Sequence, residues 1–439
     1  MRDASRRPRV VIVGGGFGGL WAARTLSKAP VEVLVVDRNN YHTFLALLYQ
    51  VAAAELEAED IAYPIRSALW KYPNAGFTLS EVLRIDAGRQ VLETEGRPIS
   101  YDYLIVAAGS MPFSFGVPGV DEHAFFLKSL EQGVALRNHI ICCFEKALQE
   151  TDEERLRRLL TFTIVGGGPT GVEYAGALSE LVHGPLRKDY PGIDFRKVRI
   201  ALLEATDQLH PGMPEKVYLY TRDRLRRMGI EVFLNARVAE VREDGVSLAD
   251  GSSVPCHTTV WTAGVRGERI AQASGLPVNR GGRVPVAPTL QVPGLENVYV
   301  IGDLAWIEEQ GAPLPMVAQV AIQSGVTAAR NVLRQIEGET PLPFRYHDKG
   351  SMITIGRNAA GAVIGGMVFT GLLAWLIWLI IHLFNLIGFR NRLLVLINWA
   401  WDYVLYERAV RFVFPSHGAW MARGLCAPDR PVTRIEERR

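Results

Sequence analysis

An α/β fold with two doubly wound parallel sheets and a helical apolar tail is what this 439-residue sequence predicts. Three observations carry that expectation. A buried-strand pattern, a glycine-rich turn and a helix pattern open the chain at Arg9. The same succession restarts at Thr161. Between Arg357 and Arg390 no residue carries a fixed charge. Length agrees, because 439 residues exceed one compact domain. Hydrophobic residues make up 48% and charged residues 21%, the composition of a globular rather than a disordered chain. The net charge of +2 is unevenly spread: from Tyr346 onward eleven Lys and Arg stand against six Asp and Glu, so the basic excess sits in the tail.

In the first unit, Arg9–Val13 reads as a buried strand, Phe17–Ser27 as a helix and Val31–Asp37 as a second buried strand. Tyr101–Ala107 reads as a later strand of the same sheet, and Gly109–Gly119 as a crossing linker. Between the first strand and the helix runs Gly14-Gly15-Gly16-Phe17-Gly18-Gly19. In that G-x-G-x-x-G spacing, Gly14 permits the tight turn, Gly16 lets the backbone approach a pyrophosphate, and Gly19 lets helix and strand pack closely. The free N–H groups of the helix start then face the pyrophosphate. Asp37 closes the second strand 21 residues after Gly16, where a carboxylate accepts hydrogen bonds from ribose hydroxyls. Strand, turn, helix and acid in register specify a dinucleotide site.

The second unit repeats the grammar. Thr161–Val165 is a strand, Gly166-x-Gly168-x-x-Gly171 a turn, Val172–Leu181 a helix and Val198–Ala205 a strand. Glu204 closes that strand 38 residues after Gly166, a longer interval whose excess lies in a loop at His183–Lys197. A carboxylate there disfavours the additional phosphate of NADP, because two anions would meet. Thr258–Ala263 is a further strand, Asn297–Ile301 a strand ending at Gly302-Asp303, and Val317–Ile336 a helix. Two Rossmann-like units imply two dinucleotides, and FAD with NAD(H) is the usual pair.

Other features exclude as much as they suggest. None of the four cysteines, Cys142, Cys143, Cys256 and Cys426, forms a C-x-x-C pair. Adjacent Cys142 and Cys143 are poorly spaced for a metal, so no metal site is expected and the cysteines read as small buried hydrophobes in a reducing compartment. Tyr41–Ala54 contains no cysteine, which rules out a flavin-to-disulfide relay there. The opening MRDASRRPR runs into VVIVGGG with no cleavage site, so no signal peptide is expected.

The tail presents two helices. Thr370–Gly388 is a nineteen-residue apolar helix candidate, against the roughly 20 residues that a span needs. Gly371, Trp375, Trp378, His382 and Asn385 follow helical spacing on one face, where Trp would suit the membrane interface. Spanning would place His382 and Asn385 deep in lipid. Leu393–Leu405 is amphipathic: Leu393, Leu396, Ile397, Ala400 and Val404 share one face, and Asn391, Asn398 and Asp402 another. With Arg390 and Arg392 between them, two in-plane helices predict a monotopic anchor rather than a span.

These residues resemble the type II NADH dehydrogenases, the single-subunit NADH:quinone oxidoreductases. The resemblance covers nearly the whole chain through VIVGGGFGGLWAA, LLYQVA at Leu47–Ala52, VGGGPTGVEYAGAL at Val165–Leu178, WTAGV at Trp261, VYVIGDLA at Val298, AQVAIQ at Ala318 and the Trp-rich tail. It implies that Gly302 and Asp303 contact FAD, that Thr43, Val82, Ala108, Ala318 and Gln319 line the same cofactor, and that Pro169, Thr170, Ala263 and Gly264 belong to the NAD site. It further implies that Glu173 lies near nicotinamide and flavin, and that Gln319 and Gln323 with Tyr49 and Gln50 form the quinone site. Gln319 and Gln323 are i,i+4 on a helix, hence on one face.

The expected organisation is a discontinuous FAD-binding domain at 1–113 and 287–345, an inserted NAD(H)-binding domain at 114–286, and a membrane-anchoring region at 346–439. The expected partners are NADH, a membrane quinone, the bilayer surface and a second copy in a homodimer, with no nucleic acid. The expected location is the cytoplasmic face of a bacterial plasma membrane. No bundle of spans with buried charges is present to pump ions. The alternatives are a soluble NADH-dependent ferredoxin or rubredoxin reductase and a non-catalytic NADH-binding redox sensor.

Overall fold

The computed structural model describes residues 6–405, 407–408 and 410–413; Cys426 lies outside the described residues. The chain divides into two compact units. One comprises Met1–Thr43, Ala62–Met111 and Val265–Lys349, the other Phe44–Ile61, Pro112–Gly264 and Gly350–Arg439.

In the first unit the strands Arg9–Val13 and Glu32–Asp37 pair in parallel, with Val11 opposite Leu34 and Val13 opposite Val36. Tyr103–Val106 and then Leu295–Val300 extend the sheet on one side, Ala75–Leu79 on the other. Val10, Val11, Ile12, Val35, Leu104, Ile105 and Val298 are fully buried, as expected of parallel strands covered on both faces. The Phe17–Leu26 and Ala318–Ile336 helices pack through glycine: a Cβ on Gly325 would run into the carbonyl of Gly18.

The second unit repeats the plan. Its five-stranded parallel sheet runs Ala124–Phe126, Thr258–Trp261, Thr161–Val165, Arg199–Leu203, Ile230–Phe233. The helix after its glycine turn begins at Pro169 rather than Val172, because proline suits the first helical position, where its missing N–H is no loss. The 183–197 stretch is not an open loop throughout: helical turns occupy Val182–Leu186, Arg187–Asp189 and Phe195–Lys197.

The tail belongs to this second unit and differs from the sequence expectation in two respects. Its apolar helix spans only Leu372–Asn385. Gly371 enters it at φ +79°, and Leu386 leaves it in extended backbone, before Phe389–Leu405 begins the next helix. Fourteen residues reach about 21 Å, short of a hydrocarbon core of about 30 Å. No helix among the described residues is long and apolar enough to cross a membrane. The Trp-bearing face also points inward rather than to an interface. Trp378 is 1% exposed, its ring 4.0 Å from that of His382 and 5.8 Å from that of Trp399. The opposite faces carry Leu373, Leu376, Ile380 and Phe384 on one helix and Phe389, Leu393, Ile397 and Val404 on the other, all exposed.

Candidate active site

The two glycine turns are built alike. At the first, Gly15 N–H donates to Asp37 Oδ2 at 2.6 Å, while Asn39 N–H donates to Oδ1 at 2.7 Å. At the second, Gly167 N–H donates to Glu204 Oε2 at 2.6 Å, and Thr206 donates to Oε1 from N–H and hydroxyl at 2.8 and 2.9 Å. The long interval before Glu204 therefore does not displace it: the strand ends with its acid where Asp37 stands in the first unit. Burial pushes the Asp37 carboxyl upward, opposed by the Gly15 and Asn39 N–H groups.

The glycines divide the work by position. Gly14 and Gly166 have φ of +102° and +113°, and a Cβ on either would meet the neighbouring strand's exit, Ala107–Ala108 in the first unit and Ala263 in the second. A Cβ on Gly19 or Gly171 would run into the carbonyl of Gly14 or Gly166. Beside Gly16 and Gly168, by contrast, a Cβ would meet nothing within 4 Å. Open space lies where each helix begins, and neither helix start has a side-chain cap. That is a cradle for an anionic pyrophosphate in each unit, so the residues present fit the dinucleotides that the motifs imply.

The remaining predicted positions are divided between the two units. In the first unit, Phe17 opens the helix, with its ring 4.9 Å from that of buried His42, whose Nδ1 lies 3.1 Å from Gly15 O. Thr43 ends the strand Tyr41–Thr43, and Val82 opens Val82–Asp86. Gly302 has φ +63° and donates its N–H to Ser324 Oγ at 3.1 Å; Asp303 Oδ2 accepts from Ser110 Oγ at 2.6 Å. Ala318 is the first residue of its helix. Gln319 and Gln323 share a face, and both hold backbone. Gln319 Oε1 accepts from Lys349 N–H at 3.2 Å, while Gln323 binds His347 twice, through Nε2 to its carbonyl and Oε1 to its N–H.

In the second unit, Pro169 and Thr170 form the first helical turn, and Gly264 packs against the Phe115 ring. Glu173 follows on the same helix, its Oε1 accepting from Thr354 N–H at 3.3 Å. Burial pushes its pKa up to about 8 against that one N–H. Tyr49 and Gln50 are buried in the Leu48–Ala52 helix, where Gln50 donates to the Tyr49 hydroxyl at 3.1 Å and accepts from Trp399 Nε1 at 3.0 Å.

The family model for pyridine nucleotide-disulphide oxidoreductases matches residues 8–325. The type II NADH:quinone oxidoreductase Ndh of Mycobacterium tuberculosis is 40% identical over 418 residues, covering 92% of this chain and 89% of that protein. The chain belongs to the type II NADH:quinone oxidoreductases. The Staphylococcus aureus member is 31% identical, with 84% of this chain and 92% of that protein covered. In fold, the structure of NDH2 from Plasmodium falciparum in complex with NADH matches with a TM-score of 0.84 at 19% identity, covering 91% of this chain and 99% of that one. Family membership also means NAD(H) and a flavin as the redox pair.

Several residues around the site of this type II enzyme had no signal in sequence. Arg408 is 1% exposed and donates to the carbonyls of Ala53 and Ala177 and to the carboxylates of Glu55 and Glu180. Burial pushes Glu55 up to about 7, with Arg408 opposing. Asn391 and Asn398, read as a polar helix face, bind the carbonyls of Glu59 and Asp60 and the Asp60 carboxylate. Thr354 and Ser110 likewise sit far in sequence from the acids they bind, and no local pattern marks them.

Glu173 predicts a pH signature. A carboxyl raised from 4.5 to about 8 favours the neutral folded form, so its cost is absent below about 4.5, grows through the window and is complete above about 8. Glu173→Gln should therefore gain thermal stability over the wild type progressively from pH 5 to 8, on the order of a few kcal/mol at the alkaline end. Thermal denaturation of both proteins across that range checks it; a difference that stays flat with pH would contradict a raised Glu173.

Proposed function

We propose that this chain oxidises NADH and reduces a membrane quinone through a tightly held FAD, without moving ions. One observation carries the reading: two complete strand–turn–helix–acid units in one chain, each with an open cradle at its helix start. A bound FAD would supply two-electron redox chemistry between NADH and a quinone, the quinone's reduction also consuming two protons. The chain's residues supply binding, orientation and protons. The 14–19 turn and Asp37 hold the FAD adenosine end; Gly302, Asp303 and the start of the Ala318–Ile336 helix serve its ribityl and ring end. Thr43, Val82 and Ala108 complete that lining. The 166–171 turn, Glu204, Ala263 and Gly264 hold NADH, and Glu204 selects it over NADPH by repelling a ribose phosphate.

Glu173, neutral at physiological pH, is suited to proton donation rather than to charge attraction. Tyr49 neighbours the Trp378 ring and Gln50 accepts from the Trp399 indole, a buried polar pair in aromatic surroundings that suits a quinone carbonyl. Gln319 and Gln323 are the first unit's proposed quinone residues, with Gln323 acting chiefly by holding residue 347 in place. The exposed apolar faces of the two tail helices suit a bilayer surface, on the cytoplasmic side of a bacterial plasma membrane, and a homodimer is compatible with them. A soluble ferredoxin-type reductase needs no such faces, and a sensor needs no raised carboxyl beside the nucleotide turn.

Stopped-flow absorbance separates the half-reactions. Gln323→Leu should bleach the flavin on NADH addition at nearly the wild-type rate and recover at least tenfold more slowly on quinone addition. Lost bleaching with normal recovery would overturn the assignment. Flavin released from the denatured protein should gain fluorescence on phosphodiesterase cleavage, as FAD does and FMN does not.

The lipid contact has its own test. Replacing Ile380, Phe384 and Phe389 together by Ser removes exposed apolar area without touching the inward faces. The triple variant should keep its flavin and lose most co-sedimentation with liposomes. Unchanged co-sedimentation would place the anchor elsewhere.

A further inference from the structure

The second unit contains a cluster that the redox reaction does not use. His139 and Cys143 lie i,i+4 on one face of the Leu130–Ala147 helix, and His257 immediately precedes the strand Thr258–Trp261. One ligand atom from each of His139, Cys143 and His257 lies within 4.8 Å of the other two. Cys143 Sγ stands 3.5 Å from His139 Nε2, and a tetrahedral site with bonds of about 2.0–2.3 Å holds its donors about 3.3–3.8 Å apart. The Thr258 hydroxyl is 2.8 Å from His139 Nε2 and 3.7 Å from Cys143 Sγ. His257 Nε2 is buried with no hydrogen-bond partner among the described residues. An orphaned buried nitrogen is unfavourable unless something occupies it.

We propose that His139, Cys143 and His257 bind a borderline-soft transition-metal ion, with Zn2+ as the fitting probe. Two imidazoles and a thiolate form a donor set for that class, and the absence of a carboxylate among the three disfavours Mg2+ and Ca2+. Water or the Thr258 hydroxyl completes the coordination. Phe125 packs on the His139 ring at 4.3 Å between centroids, and the main chain of His257 is fixed by its backbone N–H, which donates to the Arg158 carbonyl at 2.9 Å. Lys146 faces both imidazoles, and Arg158 and Glu243 face His257, so a Cys143 thiolate and the Glu243 carboxylate are the negative groups that would offset the ion's charge.

The position defines the role. Thr258 pairs with Phe162 near the start of Thr161–Val165, whereas the glycine turn follows Val165, so the cluster lies at the opposite end of the sheet. The strand rise of roughly 3.3 Å per residue puts the two ends more than about 10 Å apart. The ion would stitch helix to strand and carry no electrons. No single segment advertises it, because the third ligand comes from a distant strand.

Metal content and a spectrum test this directly on the flavin-loaded protein. After chelation under reducing conditions, Zn2+ should rebind at one ion per chain, and Co2+ should give ligand-field bands to the red of the flavin absorption with a thiolate-to-metal band in the near ultraviolet. Cys143→Ser should abolish the thiolate band, and His257→Asn should lower Zn2+ affinity at least tenfold, while Cys142→Ser keeps both signals. The flavin-to-protein ratio establishes that each variant is folded; if Cys143→Ser fails that check, His257→Asn decides alone. Failure of the wild-type protein to retain Zn2+, or retention unaffected by His257→Asn, would overturn the proposal.

Discussion

A carboxylate at the end of a parallel strand, gripping the N–H of the second glycine in a turn, fixes both halves of this molecule. Asp37 does so for Gly15 and Glu204 for Gly167, each at 2.6 Å. Charge-assisted hydrogen bonds of this length are the strong ones. Each ties the second strand of its unit to the turn after the first, and so sets where the following helix starts. The open space beside Gly16 and Gly168 follows from that placement, and the proposed chemistry needs both spaces.

The tail is a second, asymmetric constraint. It carries the apolar faces suited to a membrane, yet its inner faces support the core of the second unit. Trp399 holds Gln50, Asn391 and Asn398 hold the 59–60 turn, and Arg408 joins Glu55 to Glu180. Arg408 is buried between two carboxylates, so losing the guanidinium would leave both of them without their cation. The element that suits a bilayer thus also braces the helix bearing Tyr49 and Gln50. Trimming the tail would disturb more than membrane contact, which is why point substitutions on the outer faces probe anchoring more cleanly than truncation.

Much of this was legible in sequence, and the reasons are local. Strand patterns, glycine spacing and the closing acids are short-range signals, so Arg9–Val13, the two turns and the strand-end positions of Asp37 and Glu204 could be read directly, and helical turns take up the excess of the 38-residue interval. The Leu372–Asn385 helix was overestimated because apolar composition does not reveal that Gly371 and Leu386 end it. Its inward face was misjudged because a tryptophan buried against Tyr49 looks, in sequence, like one at an interface. Thr354 on Glu173, Ser110 on Asp303, and the pairing of Gln323 with His347 are contacts between distant segments, invisible to periodicity.

The proposed activity brings electrons in from NADH and delivers them to a quinone. Steady-state NADH oxidation by the purified flavin-loaded protein tests it most directly, with a short-chain quinone compared against a one-electron protein acceptor such as ferredoxin. That activity gives rapid turnover with the quinone, slow or no turnover with ferredoxin, and strong preference for NADH over NADPH. Rapid turnover with ferredoxin and none with the quinone would contradict it.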